Sequence, residues 1–176
     1  MPVLYLAAGV LALFATVVIK YLLIGRFVPG EHPLWSGYVW RSELVAAVYS
    51  NLCVTFFLDM VRGTPFIAWP LPALGMKIGR RCYIDSTWFS DFDLVEIGDE
   101  VALNDNATPL TQLFEGRVMC TGSVRIGRRC RLGAEASLQY NTEMLAGSSL
   151  GEMSLLMKGE SLPAGTRWHG IPAKRV

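Results

Sequence analysis

The sequence predicts a parallel β-helix built from six-residue repeats, preceded by an apolar helical region suited to a membrane. Three observations point there. The pentapeptide IGRRC occurs at Ile78–Cys82 and again at Ile126–Cys130, a spacing of 48 residues, or eight sixes. Stepping by six from Ile126 meets Leu132, Leu138, Met144, Leu150, Leu156 and Leu162, so every step is aliphatic or Met. The chain also opens with a long uncharged run, VLYLAAGVLALFATVVI, before Lys20.

The six-residue period decides the architecture. An α-helix repeats near 3.6 residues and an ordinary strand near 2, and neither keeps one aliphatic position in phase from Ile126 to Leu162. A coil of short strands does, with one large side chain pointing inward per face and a small one at the turn. Four places after each aliphatic stand Cys130, Ala136, Thr142, Ser148 and Ser154, before Glu160 breaks the run. Upstream, Ile78 and Ile84 are in phase, and then Trp88 occupies a position that should be small. One extra residue resets the frame to Ile97 and Leu103, with Val101 and Ala107 at their small positions. Between Thr108 and Val124 the phase is lost, which predicts an excursion from the coil. Excursions from a regular solenoid are where sites concentrate.

The segment Val3–Gly25 is long enough to cross a hydrocarbon core, which takes about 20 helical residues. No basic residue precedes it, and Lys20, Arg26 and Arg41 follow, so charge asymmetry places the remainder on the cytoplasmic side of a cell membrane. A second apolar stretch, Leu44–Leu58, is short for an independent span and reads as re-entrant, interfacial or shallowly buried. Between them Phe27, Trp35, Tyr38 and Trp40 supply the aromatics favoured at a membrane–water interface. The expected organisation is a membrane helix over 1–26, an interfacial helical region over 27–75 and a repeat domain over 76–176, with the excursion at 108–124 and a tail at 163–176.

A net charge of +1 gives no electrostatic basis for nucleic-acid binding. The four cysteines form no CxxC pair, and two histidines cannot complete a zinc set, so no metal is expected. There is no Walker loop and no serine–histidine–aspartate arrangement.

Motifs narrow the reading. The repeat, and the ending LPAGTRWHGIPAKRV, resemble the left-handed parallel β-helix of hexapeptide acyltransferases. More narrowly, KYLLIGRFVPGEHPLWSGYVWRSELV, RGTPF, ALGMKIGRRCYID, DLVEIGDEVALN, LFEGRVM and LLMKGESLPAGTRWHGIPA resemble the membrane-associated C-terminal domains of ε-poly-lysine-synthetase-like non-ribosomal peptide synthetases. That resemblance covers roughly Lys20 to Ala173. It implies one domain of a larger synthetase, joining amino acids delivered as phosphopantetheine thioesters on a carrier protein. It also implies sister domains or a homotrimer as assembly partners. No tightly bound cofactor is implied; the thioester, or coenzyme A, is the acyl donor.

One departure bears on chemistry. The resemblance implies a histidine where Gln112 stands and an aspartate where Gly116 stands. Amine attack on a thioester needs a proton acceptor, and a glutamine amide can only orient or hydrogen-bond. The remaining catalytic candidates are Glu115, whose carboxylate becomes basic if desolvated, and His169 in the tail. Asn104 could polarise a thioester carbonyl. Asp91 and Asp93, in SDFD, are candidates to recruit a cationic amine, and Arg117 is a substrate-binding candidate whose alternative is an ordinary salt bridge to Glu115. Lys158, Arg167, Trp168 and Lys174 lie on the expected pantetheine path. His32 reads as structural.

The expected function is an acyltransferase-like domain forming amide bonds between amino acids or a growing peptide amine and a carrier-bound thioester. Two rivals stand beside it: a non-catalytic pseudo-domain completing a pseudo-trimer, and a membrane acetyltransferase using coenzyme A.

Overall fold

The computed structural model describes residues 2–176, with side chains from residue 4 onward; Met1, the first residue of the expected 1–26 segment, lies outside them. Helix α1 runs Pro2–Leu23. Helix α2, Gly37–Val48, starts at Ser36, whose hydroxyl accepts from Val39 N. It continues without a break through a π-helical stretch, Tyr49–Leu58, and a last turn, Asp59–Val61. The short apolar stretch read at Leu44–Leu58 is therefore part of a longer helix, Gly37–Val61.

The π-helical stretch has a packing reason. The buried face of this helix carries Val39, Ser42, Val45, Tyr49, Cys53 and Leu58. The spacing widens from three to five residues along the chain. A π-helix, bonded i to i+5, advances by more than four residues per turn and keeps Tyr49, Cys53 and Leu58 on one side. That side closes the open end of the β-helix: Tyr49 meets Phe92 at 4.9 Å, and its hydroxyl donates to the Thr87 carbonyl at 2.9 Å. Helix α1 lies antiparallel on the outer side of this layer. Gly9 permits the approach, since a Cβ there would stand 2.5 Å from the Phe56 carbonyl oxygen. At the other end Arg41 Nη1 reaches the Leu23 carbonyl. Lys20 is fully buried and bonds Asp93 at 2.6 Å, so its charge belongs to the fold and is not a free flanking charge.

The repeats form three parallel sheets wound around one apolar core. The first stacks Lys77–Ile78, Val95–Ile97, Val124–Ile126, Thr142–Met144 and Ser161–Leu162. The second stacks Tyr83–Ile84, Ala102–Leu103, Arg131–Leu132, Ser149–Leu150 and Arg167–His169, with Lys174–Arg175 added antiparallel. The third stacks Thr108–Pro109, Ser137–Leu138 and Leu155–Leu156. Registers place Ile126 between Ile97 and Met144, and Leu132 between Leu103 and Leu150. Inward aliphatics are sealed from solvent, and so are the small residues at the turns, Cys130, Ala136, Thr142, Ser148 and Ser154. Successive coils touch through backbone: at Gly133 a Cβ would lie 2.4 Å from Glu152 N.

The two IGRRC segments are the same turn. Arg81 and Arg129 both take left-handed φ values, 57° and 56°. Their guanidiniums grip Glu100 from opposite sides, and Cys82 and Cys130 are buried free thiols. The 48-residue interval contains two coils, the one-residue slip and the excursion. At the slip Trp88 swings out, 63% exposed, because no small pocket is left for it.

Candidate functional site

The excursion is shorter than the sequence suggests, because Thr108–Pro109 still belongs to the third sheet and Val124 to the first. Between them Gln112–Glu115 and Val118–Thr121 form an antiparallel hairpin. The N-terminal strand Gly30–Pro33 adds to its edge, making a three-stranded sheet. The hairpin runs along the edge where the third sheet turns into the first. Glu115 pairs there with Lys158, two coils on from the Thr108–Pro109 strand that precedes the hairpin. Glu115 is thus held by Lys158 and not by Arg117. The Arg117 backbone carbonyl accepts from Leu34 N instead.

Gln112 opens the hairpin, and its Oε1 is buried without a hydrogen-bond partner. Directly before it, fully buried Thr111 donates to Asp91 Oδ2 at 3.1 Å. Asp91 is 2% exposed. Burial, first of all, pushes its carboxyl up to about 7; Thr111 opposes that shift, and the nearby charges of Glu43 and Asp93 add to it. Asp93 is a clamp: its Oδ2 accepts from Lys20 and from Phe27 N at 3.0 Å. Asn104 serves the coil, since its Nδ2 donates to the Leu132 carbonyl at 2.6 Å. The two aspartates of SDFD thus separate into one bound and one with a free oxygen, and Asn104 commits one of its two amide hydrogens to the coil.

A second group of candidates gathers on the second sheet. Arg129, Arg131, Arg167, Trp168 and His169 line a groove of about 600 Å³ that ends at Val176. Arg129 is held by Glu100, while Arg167 has no ion pair among the described residues. His169 Nδ1 lies 3.3 Å from Ser154 Oγ, which also accepts from Gly170 N. That contact orients the ring and leaves Nε2 as its second nitrogen, without a partner among the described residues. Lys174 pairs with His169 across the antiparallel strand. Lys158 does not join this group, because it belongs to the hairpin edge. The groove is basic and aromatic-edged, and its guanidiniums are groups able to bind phosphate.

The candidates therefore fall into two sets, one at the hairpin edge and one on the second sheet, separated by the body of the coil. Tyr38 and Thr111, absent from the sequence-based candidates, belong to the first set. Their signal, the Thr111 hydrogen bond to Asp91 and the reach of the Asp91 charge to Tyr38, exists only in three dimensions.

No family model matches the chain. It is 36% identical over 165 residues to a segment of the δ-poly-L-ornithine synthetase of Acinetobacter baumannii. The match covers 94% of this chain and spans about 12% of that relative. Among solved structures, a hexapeptide-repeat acetyltransferase from Vibrio cholerae, in complex with acetyl coenzyme A, superposes with a TM-score of 0.54 at 18% identity, over 59% of this chain and 60% of the other. A maltose O-acetyltransferase from Clostridium difficile gives 0.52 at 20% identity, over 59% of both chains. The repeat domain has the fold of the hexapeptide-repeat acetyltransferases.

Proposed function

We propose that this chain is an acyltransferase-like segment of a poly-amino-acid synthetase, forming amide bonds from carrier-bound aminoacyl thioesters. The carrying observation is the likeness, along nearly its whole length, to a segment of a poly-ornithine synthetase. The fold and the two candidate sets support the same reading. The groove of Arg129, Arg131, Arg167 and Trp168 takes the donor's phosphopantetheine, and the hairpin edge takes the acceptor amine. The amine nitrogen adds to the thioester carbonyl, the carbon–sulfur bond breaks, and the ammonium proton passes through a base to the departing thiolate. His169 Nε2 is the base the groove offers. Proximity supplies much of the rate with an activated ester.

Because the two sets lie on different faces, a complete site forms where the hairpin of one coil meets the groove of another. That is what sister domains or a homotrimer provide. The alternative is a pseudo-domain, and Gln112, which has no titratable group, favours it. Detergent-solubilised chain is tested for dipeptide formation from an ornithyl-pantetheine thioester, as wild type and as Gln112→His and His169→Ala. Product lost at least tenfold in His169→Ala supports the transferase reading. Product from Gln112→His alone supports the pseudo-domain, and no product from any form, in the presence of sister domains, sinks the transferase reading.

Location follows from the helical layer. Helices Leu4–Leu23 and Gly37–Val61 are long and apolar enough to cross a membrane, with mean hydropathies of 2.2 and 1.8. Yet one face of Gly37–Val61, carrying Val45, Tyr49, Cys53 and Leu58, is buried in the core at the coil end, and next to its end Arg62 bridges Asp85 and Asp105. Crossing the bilayer would carry those charges, or Glu43, into hydrocarbon. The layer instead lies flat on the cytoplasmic leaflet, presenting Leu6, Val10, Leu11 and Phe14 of α1, with exposed Trp35 and Trp40 toward the Leu23 end of that helix. Single cysteines placed at Leu4 and Leu22 in sealed vesicles are expected to react from the same side with an impermeant reagent. Labelling from opposite sides restores a spanning helix.

A further inference from the structure

Ser154 differs from the other small turn residues in what reaches it. It is 1% exposed, yet three polar atoms lie within hydrogen-bond distance of its Oγ. The Glu152 carbonyl oxygen stands 3.1 Å away, Gly170 N 2.9 Å and His169 Nδ1 3.3 Å. His169 ends the strand Arg167–His169 and Gly170 follows it, so one buried oxygen anchors the tail where the imidazole lines the groove.

A hydroxyl has one proton to give and two lone pairs to receive with, which limits how the three contacts are shared. The Gly170 amide can only donate, and the Glu152 carbonyl can only accept. The hydroxyl proton therefore goes either to Glu152 or to Nδ1. Other turns of the coil indicate which. Thr108, Thr142 and Thr166 each close a hydroxyl proton on a carbonyl two or three residues back, at 2.9, 2.6 and 2.6 Å. Ser154 makes the same closure on Glu152. With that proton committed, one lone pair of Oγ receives the Gly170 N–H and the other receives an Nδ1–H. Nδ1 is then the protonated nitrogen of His169, and Nε2 carries a bare lone pair.

The ring has room for this position because residue 151 is glycine. A Cβ there would overlap Nδ1 and stand 3.1 Å from Cγ, and its three nearest neighbours are all atoms of the His169 side chain. Gly151 is not among the glycines with positive φ, so its backbone does not call for glycine. Gly133 occupies the same corner one coil earlier, and there a Cβ would meet the backbone of the next coil instead. Of the two, only Gly151 is glycine on account of the histidine.

We propose that Ser154 and Gly151 are positioning residues for His169, fixing its imidazole as the Nδ1–H tautomer with Nε2 free to accept a proton. The inference rests on the amide-forming reading and adds how the base is prepared for it. Nε2 takes the proton that the attacking nitrogen sheds once it has bonded to the thioester carbonyl carbon. It returns that proton to the thiolate as the carbon–sulfur bond breaks. Nδ1 keeps its own proton throughout, so Ser154 accepts from the neutral ring and from the imidazolium alike. The opposite tautomer would offer the amine an N–H where a lone pair is needed.

The test is nitrogen NMR of the detergent-solubilised full chain carrying 15N-labelled histidine, recorded at alkaline pH. His32 and His169 are the two histidines, so the signals that vanish in His169→Ala assign the spectrum. A histidine free in water carries its proton mainly on Nε2. The expected result, a protonated Nδ1 and a bare Nε2 at His169, runs against that preference. Ser154→Ala and Gly151→Ala are each expected to return His169 to the solution mixture. They should also lower dipeptide turnover from the ornithyl-pantetheine thioester about tenfold or more, with little change in KM. Ser154→Thr keeps a hydroxyl of the kind the coil accepts at Thr142, and is expected to retain both tautomer and rate. Thr142→Val removes a turn hydroxyl that does not touch the ring, and the His169 signals should stay in place. Circular dichroism identifies any variant that has failed to fold. Gly151→Ala, whose added methyl meets the ring alone, keeps the test open if Ser154→Ala does fail. A proton on Nε2 in the wild type, unchanged tautomers in both folded alanine variants, or undiminished turnover once the tautomer has shifted overturns the proposal. Spectrum and product also separate the two readings. The expected tautomer without product from any form removes the transferase and leaves the positioning pair, and product with Nε2 protonated removes the pair and leaves the transferase.

Discussion

The coils from Val124 onward and the two coils before them obey the same six-residue rule, but they treat polar groups differently. In the later coils every inward position is aliphatic or small, and turn hydroxyls close on nearby carbonyls, as Thr142 does on Gln139 and Thr166 on Pro163. In the earlier coils the corner Ser90–Leu94 replaces the third-sheet strand. It buries the Asp91 carboxylate, leaves Asp93 partly covered and takes Asp91 into a left-handed φ of 39°. Repetition delivers packing, and the departure from it delivers chemistry. A buried carboxylate is tolerated there because the helical layer and the hairpin enclose it, and it weakens the fold that holds it.

That difference has a pH signature. With a folded pKa of about 7 against an unfolded 3.8, Asp91 keeps its proton in the native state while the unfolded chain loses it. Stability contributed at low pH is therefore lost as pH rises from about 4 to 7, on the order of 4 kcal/mol, and then levels off. Asp91→Asn should flatten that window relative to wild type in denaturant titrations at pH 4, 5.5 and 8. Leu138→Ala, in the regular half, should cost about 3 kcal/mol at every pH. Parallel curves for wild type and Asp91→Asn would mean that the corner carries no buried charge, erasing the contrast between the halves.

Legibility follows the same division. Ile126 to Leu162 could be read because each coil repeats one local rule, and burial of Leu132, Leu138 and Leu156 depends only on phase. The helix over the coil end was half legible. Its buried spacing widens toward Leu58, which neither a 3.6-residue nor a 2-residue template detects. The site was the least legible part. SDFD looks like two equivalent acidic residues, and only the fold separates them, giving Asp93 to Lys20 and leaving Asp91 Oδ1 unpartnered. Tyr38 reads as an interfacial aromatic because nothing local announces Asp91, far along the chain. Glu115 looked destined for Arg117 because a hairpin's reach to another coil is a tertiary fact.

The smallest expected effect tests the link between the halves. Glu115 and Lys158 tie the hairpin to a regular coil, but both side chains are more than a third exposed, so solvent screens the pair. Exposed pairs of this kind contribute about 0–1 kcal/mol, and global stability of Glu115→Gln should change by no more than that. The local consequence should be larger than the global one, because the tie orients a hairpin whose outer residues, Phe114, Gly116 and Arg117, are exposed. Hydrogen exchange of the Gln112–Thr121 amides should accelerate a few-fold in Glu115→Gln, while that of Ser137–Leu138 and Leu155–Leu156 stays as in wild type. Raising the salt concentration should reproduce part of the effect in wild type, since a Debye length near 10 Å at 0.1 M shortens with ionic strength. Equal acceleration in the hairpin and the coils would make the two regions one cooperative unit, and the acceptor edge would then be as rigid as the core beneath it.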